Sequence, residues 1–171
     1  MGDLDEERLT VRVHGGDPEP VLHLEEHEAA LLRELAGETR TLLEADIPRA
    51  DPVIARLFPD AYDEPELAES YQDMVGDELR REKLRALTEV SDSIGPSGDA
   101  TITLTDDLTT AWLAWLTDVR LAVGTRLGVT EETMGADIDP ESPEAPAYDV
   151  LHWLGWIQEA IIERLGDPSR G

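Results

Sequence analysis

Apolar and polar residues alternate at the start of the chain. Leu9, Val11 and Val13 share one side, and Thr10, Arg12 and His14 the other, which is the period of a half-buried strand. The turn-forming run Gly15-Gly16-Asp17-Pro18 follows, and then Val21-Leu22-His23-Leu24, so a small β-hairpin is expected. From Glu25 the period becomes helical. Ala29, Leu31, Leu32, Leu35, Leu42 and Leu43 predict a helix to about Ala45, weakened at Gly37 by about 1 kcal/mol relative to alanine. Pro48 and Pro52 interrupt it. Asp51-Pro52 reads as a new helix start with proline at the first helical position, and Val53, Ile54, Leu57 and Phe58 form its buried side before Pro59.

A longer helix is expected from near Pro65 to about Ser93, with an apolar stripe of Leu67, Tyr71, Met74, Val75, Leu79, Leu84, Leu87 and Val90. Gly95, Pro96 and Gly98 mark a loop, and Thr101-Ile102-Thr103-Leu104 a short strand or extended entry. Thr105 followed by Asp106 and Asp107 is a helix N-terminus. The hydroxyl accepts an otherwise unpaired N–H, and the acids favour the positive end of the dipole. That helix carries Leu108, Ala111, Trp112, Trp115, Val119, Ala122 and Val123 on one side and Leu113, Leu116 and Leu127 on another. It should therefore be central, and Gly128 ends it. The acidic, proline-rich run from Val129 to Ala147 reads as a long surface loop. The last helix, Tyr148 to Leu165, is apolar on most sides, through Val150, Leu151, Trp153, Leu154, Trp156, Ile157, Ala160, Ile161 and Ile162. Two such helices imply a central hairpin or an exposed dimer face. The fold class expected is mostly α, a single-domain bundle of about five helices with a small N-terminal β-hairpin or short sheet. Residues 1–8 form an acidic tail, 9–166 the domain and 167–171 a C-terminal tail.

Charge narrows the function. Asp and Glu total 39 against 14 Lys and Arg, a net charge of −25, which repels phosphate and keeps the protein soluble. Lys83 is the sole lysine. A GC-rich genome or adaptation to high salt would each produce this bias, and heavy use of alanine, arginine and leucine favours the first. No cysteine is present, which excludes disulfides, zinc ribbons, iron–sulfur clusters and thiol catalysis. No apolar run approaches the roughly 18 residues that span a bilayer, and the acidic N-terminus is not a signal peptide, so a cytoplasmic location is expected.

Motifs for chemistry are sparse. His23-Leu24-Glu25-Glu26-His27 matches the letters H-x-x-E-H of a zinc peptidase, whose histidines must share one helix face. Here His23 falls in a strand-like segment and His27 in a helix, so the two should diverge, and no metal or other cofactor is expected. A small metal-assisted hydrolase using His23, His27 and a distant carboxylate is the alternative reading. His14 and His152 stand in no motif, and Asp106/Asp107 are accounted for as a helix start rather than a catalytic pair. No phosphate-binding glycine pattern occurs. Arg80, Arg81, Lys83 and Arg85 are the main basic cluster, with Arg80 and Arg81 candidates for meeting a phosphate or an acidic partner or for structural ion pairs. Asp77, Glu78, Glu82 and Glu89 should neutralise them along the same helix, which leaves no concentrated basic face for direct nucleic-acid binding. Arg120 and Arg126 lie on an otherwise apolar helix beside Asp118. They are read as members of a structural ion pair or as partner-docking residues, and Gly124-Thr125 permits another backbone to approach. Trp112, Trp115, Trp153 and Trp156 are interface candidates.

Four segments carry a family resemblance. They are Leu57-Phe-Pro-Asp-Ala-Tyr62, Asp77-Glu-Leu-Arg80 through Leu84, Asp118-Val-Arg-Leu-Ala-Val-Gly-Thr-Arg-Leu-Gly128, and Tyr148 with Trp153-Leu-Gly-Trp-Ile-Gln-Glu159. In this order they resemble the actinobacterial family called domain of unknown function 2017. The resemblance implies oxidative-stress transcriptional control in concert with a sigma factor, sensed through cysteines. This chain has no cysteine, so thiol sensing does not carry over, and oxidation of Met74 or Met134 would be a remote substitute. The function expected is a non-enzymatic regulatory or protein-interaction module. It is associated with transcription or stress through a protein partner, with a homodimer as a further expectation and neither direct nucleic-acid nor membrane binding.

Overall fold

A computed structural model describes residues 12–14, 19–45, 51–58, 69–129 and 139–165. The elements run β1 (Arg12–His14), β2 (Val21–Leu24), α1 (Glu26–Glu44), α2 (Pro52–Leu57), α3 (Glu69–Ile94), β3 (Ala100–Thr103), α4 (Asp106–Leu127) and α5 (Ala145–Leu165). The class is mostly α, with five helices described and a small antiparallel sheet. That sheet has three strands rather than the two of a hairpin. β2 is central, pairing Val13 with Leu22 on one side and Leu22 with Ile102 on the other. The Thr101–Leu104 run is thus a true strand, and Leu104 N–H extends the ladder to Pro20 O at 2.8 Å. Expected features at 9–11, 15–18, 46–50, 59–68 and 130–138, together with both tails, lie outside the described residues.

Local chemistry sets the helix ends. α1 starts where the Glu28 carboxylate accepts the Glu25 N–H at 2.8 Å. At α2, the Asp51 carboxylate accepts from Val53 N and Ile54 N beside Pro52, as the sequence predicts. The Thr105 hydroxyl accepts Leu108 N–H at the start of α4, and Gly128 ends that helix at φ 68°, a left-handed position that glycine occupies without penalty. α5 begins at Ala145, three residues before the start expected from its apolar pattern. Pro146 falls in the first turn, where its missing N–H is not needed, so it does not break the helix. Turns at Asp139–Ser142 lead into it.

α4 is the centre of the bundle, packed against α2, α3 and α5, while α1 covers α3 and β2. Trp112, Leu116, Leu154, Ile157, Leu87, Val90, Leu32 and Leu22 are fully buried in one continuous core. Trp112 and Trp115 meet edge to face, with centroids 5.8 Å apart, and the Trp112 indole donates to Ser93 Oγ at 3.1 Å. Arg33 of α1 donates to the carbonyls of Ile94, Gly95 and Gly98, at 3.3, 2.7 and 2.8 Å, closing the end of α3. Gly37 is exposed, and a Cβ there meets nothing within 4 Å. Gly37→Ala should therefore stabilise the protein by about 0.5–1 kcal/mol through helix propensity alone, read as a raised urea midpoint with an unchanged slope.

Candidate functional site

Two features built on α4 concentrate charge, one inside the bundle and one beside an open cleft. The first is an ion pair inside the bundle. Asp118 lies on the buried side of α4, and its Oδ1 accepts from Lys83 Nζ of α3 at 2.7 Å, with side chains only 9% and 17% exposed. Burial raises the Asp118 pKa from its ordinary 3.8, while the hydrogen bond and charge of Lys83 pull it the other way. The sole lysine is thus held by a carboxylate 35 positions away, and not by the acids of its own helix as the sequence predicts. Its neighbours diverge. Arg80 lies 5.7 Å over the Phe58 ring, whereas Arg81 and Arg85 are exposed.

The second feature lies two residues further along α4, on a different face of the helix. Arg120 projects towards α5, where its Nη1 donates to Gln158 Oε1 at 2.6 Å and Gln158 Nε2 donates to Thr117 Oγ1 at 2.9 Å. Gly155 lies beneath the guanidinium, where an added Cβ would stand in contact with it at 3.4 Å. Beside this network is a cleft of about 500 Å³, bounded by α2, α4 and α5 and lined by Arg56, Arg120, Leu121, Gly124, Leu151 and Gln158, among others. Arg56 had no signal in the sequence beyond its place in the last turn of α2. Arg126 does not share the setting of Arg120. It is exposed, near Leu35, Glu38, Thr39 and Leu42 of α1, so the expectation of an arginine embedded in an apolar helix fits Arg120 alone. Asp118 pairs with Lys83 rather than with either arginine.

The tryptophans separate in the same way. Trp112, Trp115 and Trp153 are 0, 2 and 5% exposed and belong to the core, whereas Trp156 is 47% exposed. It shares the outer stripe of α5 with exposed Asp149, His152, Glu159 and Glu163, at spacings that place them on one helix face. His23 Nδ1 lies 3.3 Å from Thr101 Oγ1 in the sheet, while His27 Nδ1 lies 3.7 Å from Glu25 Oε2 at the start of α1. No three metal-ligating side chains come together among the described residues. None of the described helices is long and apolar enough to cross a membrane.

Fold and site together define a small acidic helical module with a buried ion pair at its centre and two distinct surfaces on its last two helices. The chain belongs to the family of the domain of unknown function DUF2017, whose model matches residues 9–165. It is 29% identical to proteins named oxidative stress regulator AosR from Mycobacterium bovis and Mycobacterium tuberculosis, over 80% of this chain and 77% of theirs. A protein of Mycobacterium leprae named putative oxidative stress regulator AosR is similar to the same extent. No solved structure matches.

Proposed function

We propose that the protein is a non-enzymatic regulator in the response to oxidative stress, acting through a protein partner with a basic face, most simply a component of the transcription machinery. The names of its relatives supply the regulatory setting. The observation that carries the partner reading is Trp156, half exposed on a helix face flanked by Asp149, Glu159 and Glu163. An aromatic residue open to solvent on a stripe that carries carboxylates suits a surface of arginine and lysine, through cation–π contact and complementary charge. A second copy of the chain fits less well, since each copy carries −25 and would bring acids against acids. The same charge opposes direct binding to nucleic acid. With no cysteine in the chain, stress would be read by something other than a thiol of this protein.

Capture from a lysate of the native organism tests this reading. The wild type should retain a basic transcription protein at low salt and release it as salt rises. Trp156→Ala should weaken retention at least tenfold, the effect of removing a central aromatic anchor, with thermal stability unchanged. Equal retention by the variant, or a light-scattering mass of a dimer with no heterologous partner, would remove the proposal.

A further inference from the structure

The cleft between α2, α4 and α5 is used by neither the family match nor the partner face. Its volume of about 500 Å³ falls within the roughly 300–1,000 Å³ of small-molecule sites. Arg56 and Arg120 both line it, together with Leu121, Val129 and Leu151. Among the described residues no carboxylate lines it, and none lies within ion-pairing distance of either arginine. In a chain with 39 acids this is a departure from the rest of the surface. The open groove between α3 and α4, of similar size, is lined instead by Glu82, Glu89 and Asp107 with Arg85.

Arg120 is already held in place by Gln158 and by its seat over Gly155, so little side-chain freedom is lost when it meets a ligand. Its Nε–H is buried without an acceptor, and its charge lacks a counterpart among the described residues. A Cβ added at Gly124 meets nothing within 4 Å, which leaves that side of the cleft open. The lining therefore asks for one negative group and an apolar body. We propose that the cleft binds a small monocarboxylate with an apolar chain or ring, its carboxylate held by Arg56 and Arg120 and its body against Leu121, Val129 and Leu151. The net charge of −25 selects against larger acids. Repulsion grows with the charge of the ligand, so a nucleic acid or an acidic protein is held off while a single carboxylate is not.

Calorimetric titration of the whole protein with octanoate tests the assignment, with octan-1-ol as the neutral molecule of equal length. Octanoate should bind saturably, about tenfold or more tightly than octan-1-ol, as charge-assisted hydrogen bonds to guanidinium require. Arg56→Gln, at an exposed position, should weaken octanoate by about tenfold without altering the fold. Gly124→Leu, which fills the cleft and leaves its charge intact, should remove binding of both molecules. Absence of octanoate binding, equal affinity for octan-1-ol, or wild-type affinity in either variant would overturn the proposal. So would displacement of octanoate by a glutamate-rich peptide at lower concentration, which would assign the cleft to an acidic protein segment.

Discussion

Lys83→Met is expected to destabilise the protein by about 3–5 kcal/mol near pH 8, because it strands the Asp118 carboxylate in the core. Globular domains have about 5–15 kcal/mol in all, so this one substitution should remove much of the stability margin. Its pH dependence identifies the cause. The folded-state pKa of Asp118 is raised from 3.8, so the fold favours the protonated form. The stability associated with this group is present below 3.8 and is lost as pH rises through the folded pKa. Without Lys83, both influences that lower that pKa vanish, so the loss continues to higher pH and grows larger. The penalty of Lys83→Met relative to the wild type should therefore be greatest at pH 8 and shrink steadily on acidification, as Asp118 takes up a proton. Urea unfolding at a series of pH values measures it. A second substitution, Asp118→Leu in the Lys83→Met background, should recover most of the loss, since an apolar pair can replace a buried ion pair. A penalty independent of pH would mean that lost packing of the lysine stem dominates.

Trp112→Ala should have an effect of similar size, about 3–5 kcal/mol, from the cavity it leaves in the core. The side chain is fully buried and lies edge to face against Trp115, and its indole N–H reaches Ser93. The substitution removes all three contributions at once, and the near-ultraviolet circular dichroism of the Trp112–Trp115 pair should collapse with them. Trp156→Ala is the comparison. At 47% exposure it should change stability by no more than about 0.5 kcal/mol. Thermal unfolding of the two variants separates the tryptophan that holds the fold from the one available to a partner.

The helices were legible because their causes are local. Apolar spacing placed α1 and α4, and Asp51, Thr105 and Gly128 marked ends that the structure caps with those same residues. The start of α5 was misread because Pro143 and Pro146 look like breakers until the first turn of a helix is recognised as tolerating proline. The third strand was only half legible, since four residues carry too little period to separate a strand from an extended approach. Long-range features left less trace. Nothing near Lys83 names Asp118 as its partner, and nothing near Arg33 indicates that it closes the end of α3. Trp153 and Trp156 lie three positions apart on a helix that is apolar nearly all round, so sequence spacing gave no means of telling core from surface. Arg120 and Arg126 looked equivalent for the same reason, and only the fold sets them apart, with Arg120 bonded to Gln158 of α5 and Arg126 exposed beside α1.

In the proposed function, the outer face of α5 docks a basic protein partner. Replacing Trp156 with a photo-crosslinking phenylalanine analogue in the native organism tests it directly, with the same analogue at exposed Thr88 of α3 as the control. One dominant crosslink is expected from position 156, to a lysine- and arginine-rich surface of a transcription protein, and none to that protein from position 88. Crosslinks confined to a second copy of the chain, or the same products from both positions, would contradict it.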